Sequence, residues 1–62
     1  MKTKDIRKGD ILKWTHYEGF DEYETNRVKV VEVHSDHLIV KVLELNINAW
    51  LDLDQIEDEL FR

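Results

Sequence analysis

The chain has no cysteine and no proline, only two glycines among 62 residues, and few cations: nine Lys and Arg stand against 14 Asp and Glu, a net charge of −5. Without cysteine there is no disulfide framework and no thiolate-held zinc or iron–sulfur site to supplement a small core. A chain of this length buries only about 60% of the surface its unfolded form exposes, so stability must come from packing or from a partner, and little volume is left for a catalytic cavity. No apolar run approaches the ~20 residues that span a bilayer, and the N-terminus has no apolar signal-peptide core. The expectation is a cytoplasmic protein with no membrane partner. The acidic balance works against whole-surface attraction to nucleic acid and favours a protein partner with a basic surface.

What is present is β-forming and folds: hydrophobic residues make up 42% and charged residues 37%, with β-branched and aromatic types well represented. The clearest stretch runs from Arg27 to Leu45. Val28, Val30, Val31 and Val33 are followed by the polar break His34, Ser35, Asp36, His37, and then by Leu38, Ile39, Val40, Val42, Leu43 and Leu45. Two such runs around a short break predict an antiparallel hairpin. Val28 and Val30 share one parity and Val31 and Val33 the other, which predicts either a β-bulge near Val30 or a strand covered on both faces.

Upstream, Lys8-Gly9-Asp10 predicts a turn with Gly9 at positive φ, followed by a strand with Leu12 and Trp14 facing inward. Thr15 to Asn26 shows no clear period and is expected to be a long irregular loop, a common place for function. It interleaves Tyr17, Phe20 and Tyr23 with Glu18, Asp21, Glu22 and Glu24. Rings supply rigid contact area, and the acids attract Arg or Lys of a partner, so Tyr17, Phe20, Asp21, Glu22, Tyr23 and Glu24 are candidate partner-binding residues. The competing reading makes the rings padding for an open core. Downstream, Asn46 to Asn48 punctuates and Ala49 to Leu53 predicts a strand. If Leu51 and Leu53 point inward, Trp50 points out as a further candidate anchor; the competing reading makes it the half-buried edge of the core. A helix start is predicted at Asp54, with Asp54 as cap and Glu57 in the capping-box position, and with Leu53, Ile56 and Leu60 closing one end of the sheet.

Metal and catalytic chemistry find little support. His34 and His37, brought together by the hairpin beside Asp36, offer donors that could ligate zinc or nickel, but imidazoles at a polar turn more often stand solvated. His16 has no register that joins it to them. No metal and no cofactor are expected. Ser35 has no neighbouring base or oxyanion site, and the acids from Asp52 to Glu59 lack calcium-loop spacing, since Ile56 falls where a ligand is needed. The remaining charge feature is a basic arm, Lys2, Lys4, Arg7, Lys8 and Lys13, that either contacts phosphates or balances acids elsewhere.

The sequence of features, from Ile6, Lys8-Gly9-Asp10 and Leu12 through a long loop, a Val-rich hairpin and a Trp-bearing strand to a terminal helical turn, resembles the SH3-like small β-barrels. The resemblance implies an all-β domain over residues 1–62: four to five strongly bent antiparallel strands and a short C-terminal helical turn, used as a non-enzymatic recognition module. Tyr17, Phe20, Glu22, Tyr23 and Glu24 would match the ligand loop of signalling SH3 domains, and Trp50 their groove tryptophan. The Ala-Leu-Tyr-Asp-Tyr run is absent and the chain has no proline of its own for such a groove, so polyproline recognition is not implied. Lys8-Gly9-Asp10 is similar to the KOW-type, RNA-associated members. This gives the alternative, a nucleic-acid-binding barrel using Lys2, Lys4, Arg7, Lys8 and Lys13. Small size, high charge and lack of cysteine are similar to accessory proteins of phages and mobile elements, which implies a module that binds and modulates a host protein. A homodimer stays open, because burying a sheet edge would add to a thin core.

Overall fold

The turn over Lys8-Gly9-Asp10 starts the sheet. Gly9 sits at φ +93°, a conformation that side chains with a Cβ adopt only at a cost. Its N–H donates to the Val30 carbonyl at 2.8 Å while the Val30 N–H donates to the Asp10 carbonyl at 2.9 Å. The computed structural model describes residues 1–62. A single 3₁₀ turn at Thr3–Asp5 precedes β1 (Ile11–Gly19), β2 (Glu22–Val33), β3 (His37–Val42), β4 (Ile47–Asp52), α1 (Leu53–Glu59) and β5 (Leu60–Phe61). The strands form one antiparallel sheet in the order β4-β3-β2-β1-β5. The architecture is therefore mostly β with one short C-terminal helix. The sheet is open, with β4 and β5 as its edges rather than paired to each other.

Period-two alternation selects the inner face. Leu12 pairs with Val28 and Val28 with Val42, while Val30 pairs with Val40 and Leu38 with Leu51. All seven are buried, and Ile6, Ile56 and Leu60 complete the core from the chain's two ends. Burying each such side chain contributes about 1.5–3 kcal/mol. Trp14 packs against this core and anchors the end of α1, its Nε1–H donating to Glu59 Oε1 at 2.9 Å.

The central hairpin forms as predicted, and the phase change in its first strand is a bulge: the β2–β3 register shifts between Val30 and Glu32, which leaves Val31 as the extra residue. The second run ends as a strand at Val42, not Leu45, because Asn46 takes φ +56° and its N–H bonds back to the Val42 carbonyl.

Three expectations need correction. Thr15 to Asn26 is not an irregular loop: Thr15 pairs with Thr25, His16 with Glu24 and Tyr17 with Tyr23, so β1 and β2 run on as a ladder to a tight turn. The alternation begun by Leu12 and Trp14 continues through His16, and polar residues on the inner face disguised it. The helix starts earlier than Asp54. Asp52 is the cap, its Oδ1 accepting the Gln55 N–H at 2.9 Å while Gln55 Oε1 accepts the Asp52 N–H at 3.1 Å. Leu53 consequently opens the helix on its outer side and is 48% exposed, leaving Ile56 and Leu60 to cover the sheet. No helix is long and apolar enough to cross a membrane.

Candidate functional site

The β1–β2 hairpin ends in a braced tip. Glu18 is bulged where the register shifts between Tyr17 and Gly19, and Asp21 turns the chain at φ +56°, which Asp tolerates better than most residues. The rings of Tyr17 and Tyr23, directly opposed, meet edge to face at 5.2 Å. The Tyr17 hydroxyl oxygen accepts the Asp21 N–H at 2.9 Å, tying stem to turn. Phe20 occupies the apex and is 96% exposed, with Tyr23 at 70%. A large ring standing clear of its own protein, next to a turn tied back to a tyrosine pair, offers apolar contact area. Glu18, Asp21 and Glu22 lie within two residues of Phe20 along the chain and are exposed.

Five of the sequence-predicted partner residues, Tyr17, Phe20, Asp21, Glu22 and Tyr23, are thus gathered at one tip. The other two are not. Glu24 lies opposite His16 on the inner face. Trp50, 55% exposed, pairs with Ile39, which pairs with Glu32 near the far end of β2. Nine residue steps along β2 lead from Tyr23 to Glu32, about 30 Å of extended strand. Trp50 instead ends a column of rings, stacking on His37 at 4.7 Å, which stacks on His34 at 4.3 Å. His34 Nε2 lies 2.9 Å from Glu32 Oε1, and His37 Nδ1 lies 2.6 Å from Asp36 Oδ1. The His37 hydrogen bond holds the Asp36 carboxyl below its ordinary value.

The basic arm runs along adjoining concavities that share Lys4. Lys4 and Arg7 line a concavity with Arg62, Lys2 and Lys4 line another beside Leu53 and Ile56, and Lys13 lies opposite Arg27 and Phe61 on the outer face. Lys8 faces a third concavity with Lys29 and Lys41, which are directly opposed across β2 and β3. None of these three lysines has a carboxylate within 4.0 Å. Lys29 and Lys41 escaped the sequence reading, although each stands between two buried valines and the hairpin register alone would have paired them.

A second group missed from sequence sits at the polar end of the inner face. His16 Nε2 lies 2.9 Å from the side-chain oxygen of Asn26, the one buried polar residue at 5% exposure. His16 Nδ1 lies 2.9 Å from Glu18 Oε1, and donor atoms of His16, Glu18 and Glu24 all fall within 4.8 Å of one another. The signal was the parity of Leu12, Trp14 and His16 on one strand and of Glu24, Asn26 and Val28 on the other.

Compared with protein-family models, curated proteins and solved structures, the chain matches none.

Proposed function

We propose that the protein is a small, acidic, non-enzymatic interaction module that inserts the Phe20 tip of its β1–β2 hairpin into an apolar pocket rimmed by Lys or Arg on a protein partner. The observation that carries this reading is Phe20 at 96% exposure on a tip braced by the Tyr17–Tyr23 pair and by the bond to Tyr17 Oη. A fully exposed Phe adds nothing to its own fold, and aromatic anchors with charged rims are what binding hot spots require. A meander of four strands, a short helix and a last strand returned to β1 supports kinship with SH3-like domains, whose long first loop corresponds to this hairpin. Composition similar to that of phage accessory proteins supports a host protein as the partner.

Pull-downs with wild-type and Phe20→Ser protein test it. The expected result is a salt-tolerant, nuclease-resistant partner captured by the wild type and lost by Phe20→Ser, with an unchanged melting temperature. Equal capture by both proteins overturns the reading.

One observation favours a second reading, binding of a polyanion such as RNA. Like charges directly opposite on neighbouring strands repel, yet Lys29 faces Lys41 with no carboxylate near either. On that reading, retention is lost to nuclease, falls steeply with salt, and is weakened by Lys29→Gln with Lys41→Gln rather than by Phe20→Ser.

A further inference from the structure

We propose that His16, Glu18 and Glu24 form a binding site for a divalent first-row transition ion, with Zn²⁺ the best-suited. The inference stands whether or not the Phe20 tip engages a partner.

The site is built in layers. The His16 ring is fixed on one face by stacking on Trp14, centroids 4.1 Å apart. Trp14 is itself held by Glu59 at 2.9 Å. Nε2 is taken by Asn26 Oδ1 at 2.9 Å, and Asn26 is buried, with no other side-chain partner. A metal-bound imidazole typically donates its second nitrogen to an oxygen in this way, which sets the tautomer and leaves the first nitrogen's lone pair for the ion. With Nε2–H donating to Asn26, that lone pair is on Nδ1.

Nδ1 points at Glu18 Oε1, 2.9 Å away. A lone pair and a carboxylate oxygen repel at that distance unless something positive joins them, either a proton on Nδ1 or a metal ion. Glu24, the direct cross-strand neighbour of His16, adds a second carboxylate donor within the 4.8 Å cluster. The bulge at Glu18 is the local device that delivers this donor set, since bulges re-aim side chains. Donors bound to one ion at about 2.0–2.2 Å lie roughly 3 Å apart, so the cluster needs only small side-chain rotations to close. One imidazole and two carboxylates suit Zn²⁺ and its first-row neighbours, whereas Ca²⁺ and Mg²⁺ prefer all-oxygen shells. The His34–His37 pair is the rival site on the same chain. Its rings are stacked face to face, which directs their nitrogens along the ring planes and towards separate carboxylates.

Calorimetric titration with Zn²⁺ is the test, on the wild type, His16→Gln, Glu24→Gln and the double variant His34→Gln with His37→Gln. Circular dichroism confirms that each is folded. One ion per chain is expected, bound at least tenfold more weakly by His16→Gln and by Glu24→Gln, and unchanged in the double variant. As a second readout, Ni²⁺ should quench Trp14 fluorescence in Trp50→Phe protein, where Trp14 is the only indole left and rests on the ligand ring. No heat of binding up to millimolar Zn²⁺, wild-type affinity in folded Glu24→Gln, or loss of binding in the double variant would each overturn the site.

Discussion

At the start of α1, two aspartates stand two residues apart and only one caps the helix. Asp52 Oδ1 accepts the Gln55 N–H, whereas Asp54 lies exposed in the first turn. From sequence the cap is expected at Asp54, although Asp52 followed by Gln55 satisfies the capping-box pattern as well as Asp54 followed by Glu57 does. What decides is the β4 ladder, which holds Asp52 opposite His37 as an extended residue and frees Leu53 to turn. Asp52→Ala should therefore lower stability by about 1 kcal/mol, the usual worth of an N-cap. Asp54→Ala should change it by less than about 0.5 kcal/mol, as surface substitutions away from such features do. Urea unfolding of the two variants side by side measures both.

Between elements, side chains finish what the backbone ladders begin. The β2–β3 pairing ends at Val28 and Val42, and beyond it the Glu44 carboxylate accepts the Arg27 N–H with both oxygens, at 3.1 and 3.0 Å, while the Leu43 N–H donates to the Arg27 carbonyl at 2.9 Å. That backbone N–H holds the Glu44 carboxyl below its ordinary value of 4.5. A carboxyl depressed in the folded state adds stability that is complete above its unfolded pKa and is lost as pH falls through the folded one. Glu44→Gln should thus melt lower than the wild type at pH 7 and lose less than the wild type between pH 5 and pH 3, as read from thermal melts across that range. The same interplay explains what was legible beforehand. The central hairpin and the Gly9 turn follow from alternation and turn chemistry within a few residues, whereas alternation alone left the bulge as one of two readings and Trp50 as either outward or half-buried. The β1–β2 ladder was hidden because its outer half buries no aliphatic residue: Trp14 with Asn26 and His16 with Glu24 occupy the inner face where alternation is normally read from Val or Leu. Trp50 and the tip were joined on the strength of the SH3-like resemblance, whereas the unbroken length of β2 holds them apart.

For the molecule as a whole, ten buried aliphatic residues form the one core. A 62-residue chain at the usual ~0.05–0.15 kcal/mol per residue has roughly 3–9 kcal/mol of stability, and truncating a buried Leu removes about 2–5 kcal/mol. Leu51→Ala, at the junction of β3, β4 and α1, should leave the protein partly or wholly unfolded at 37 °C. A collapsed near-ultraviolet circular dichroism signal would report it. The bulge at Val31 bears on the shape of the same core. On either side of it, Val30 still faces Val40 and Glu32 faces Ile39, so Val31 is surplus to the pairing. Excising that one residue would keep the β2–β3 partners in register, while changing the coiling of the sheet and the concavity that Val31 lines with Lys8, Lys29 and Lys41. Length and curvature are thereby separable in this strand: one residue carries the bend, and the register on either side of it does not depend on that residue.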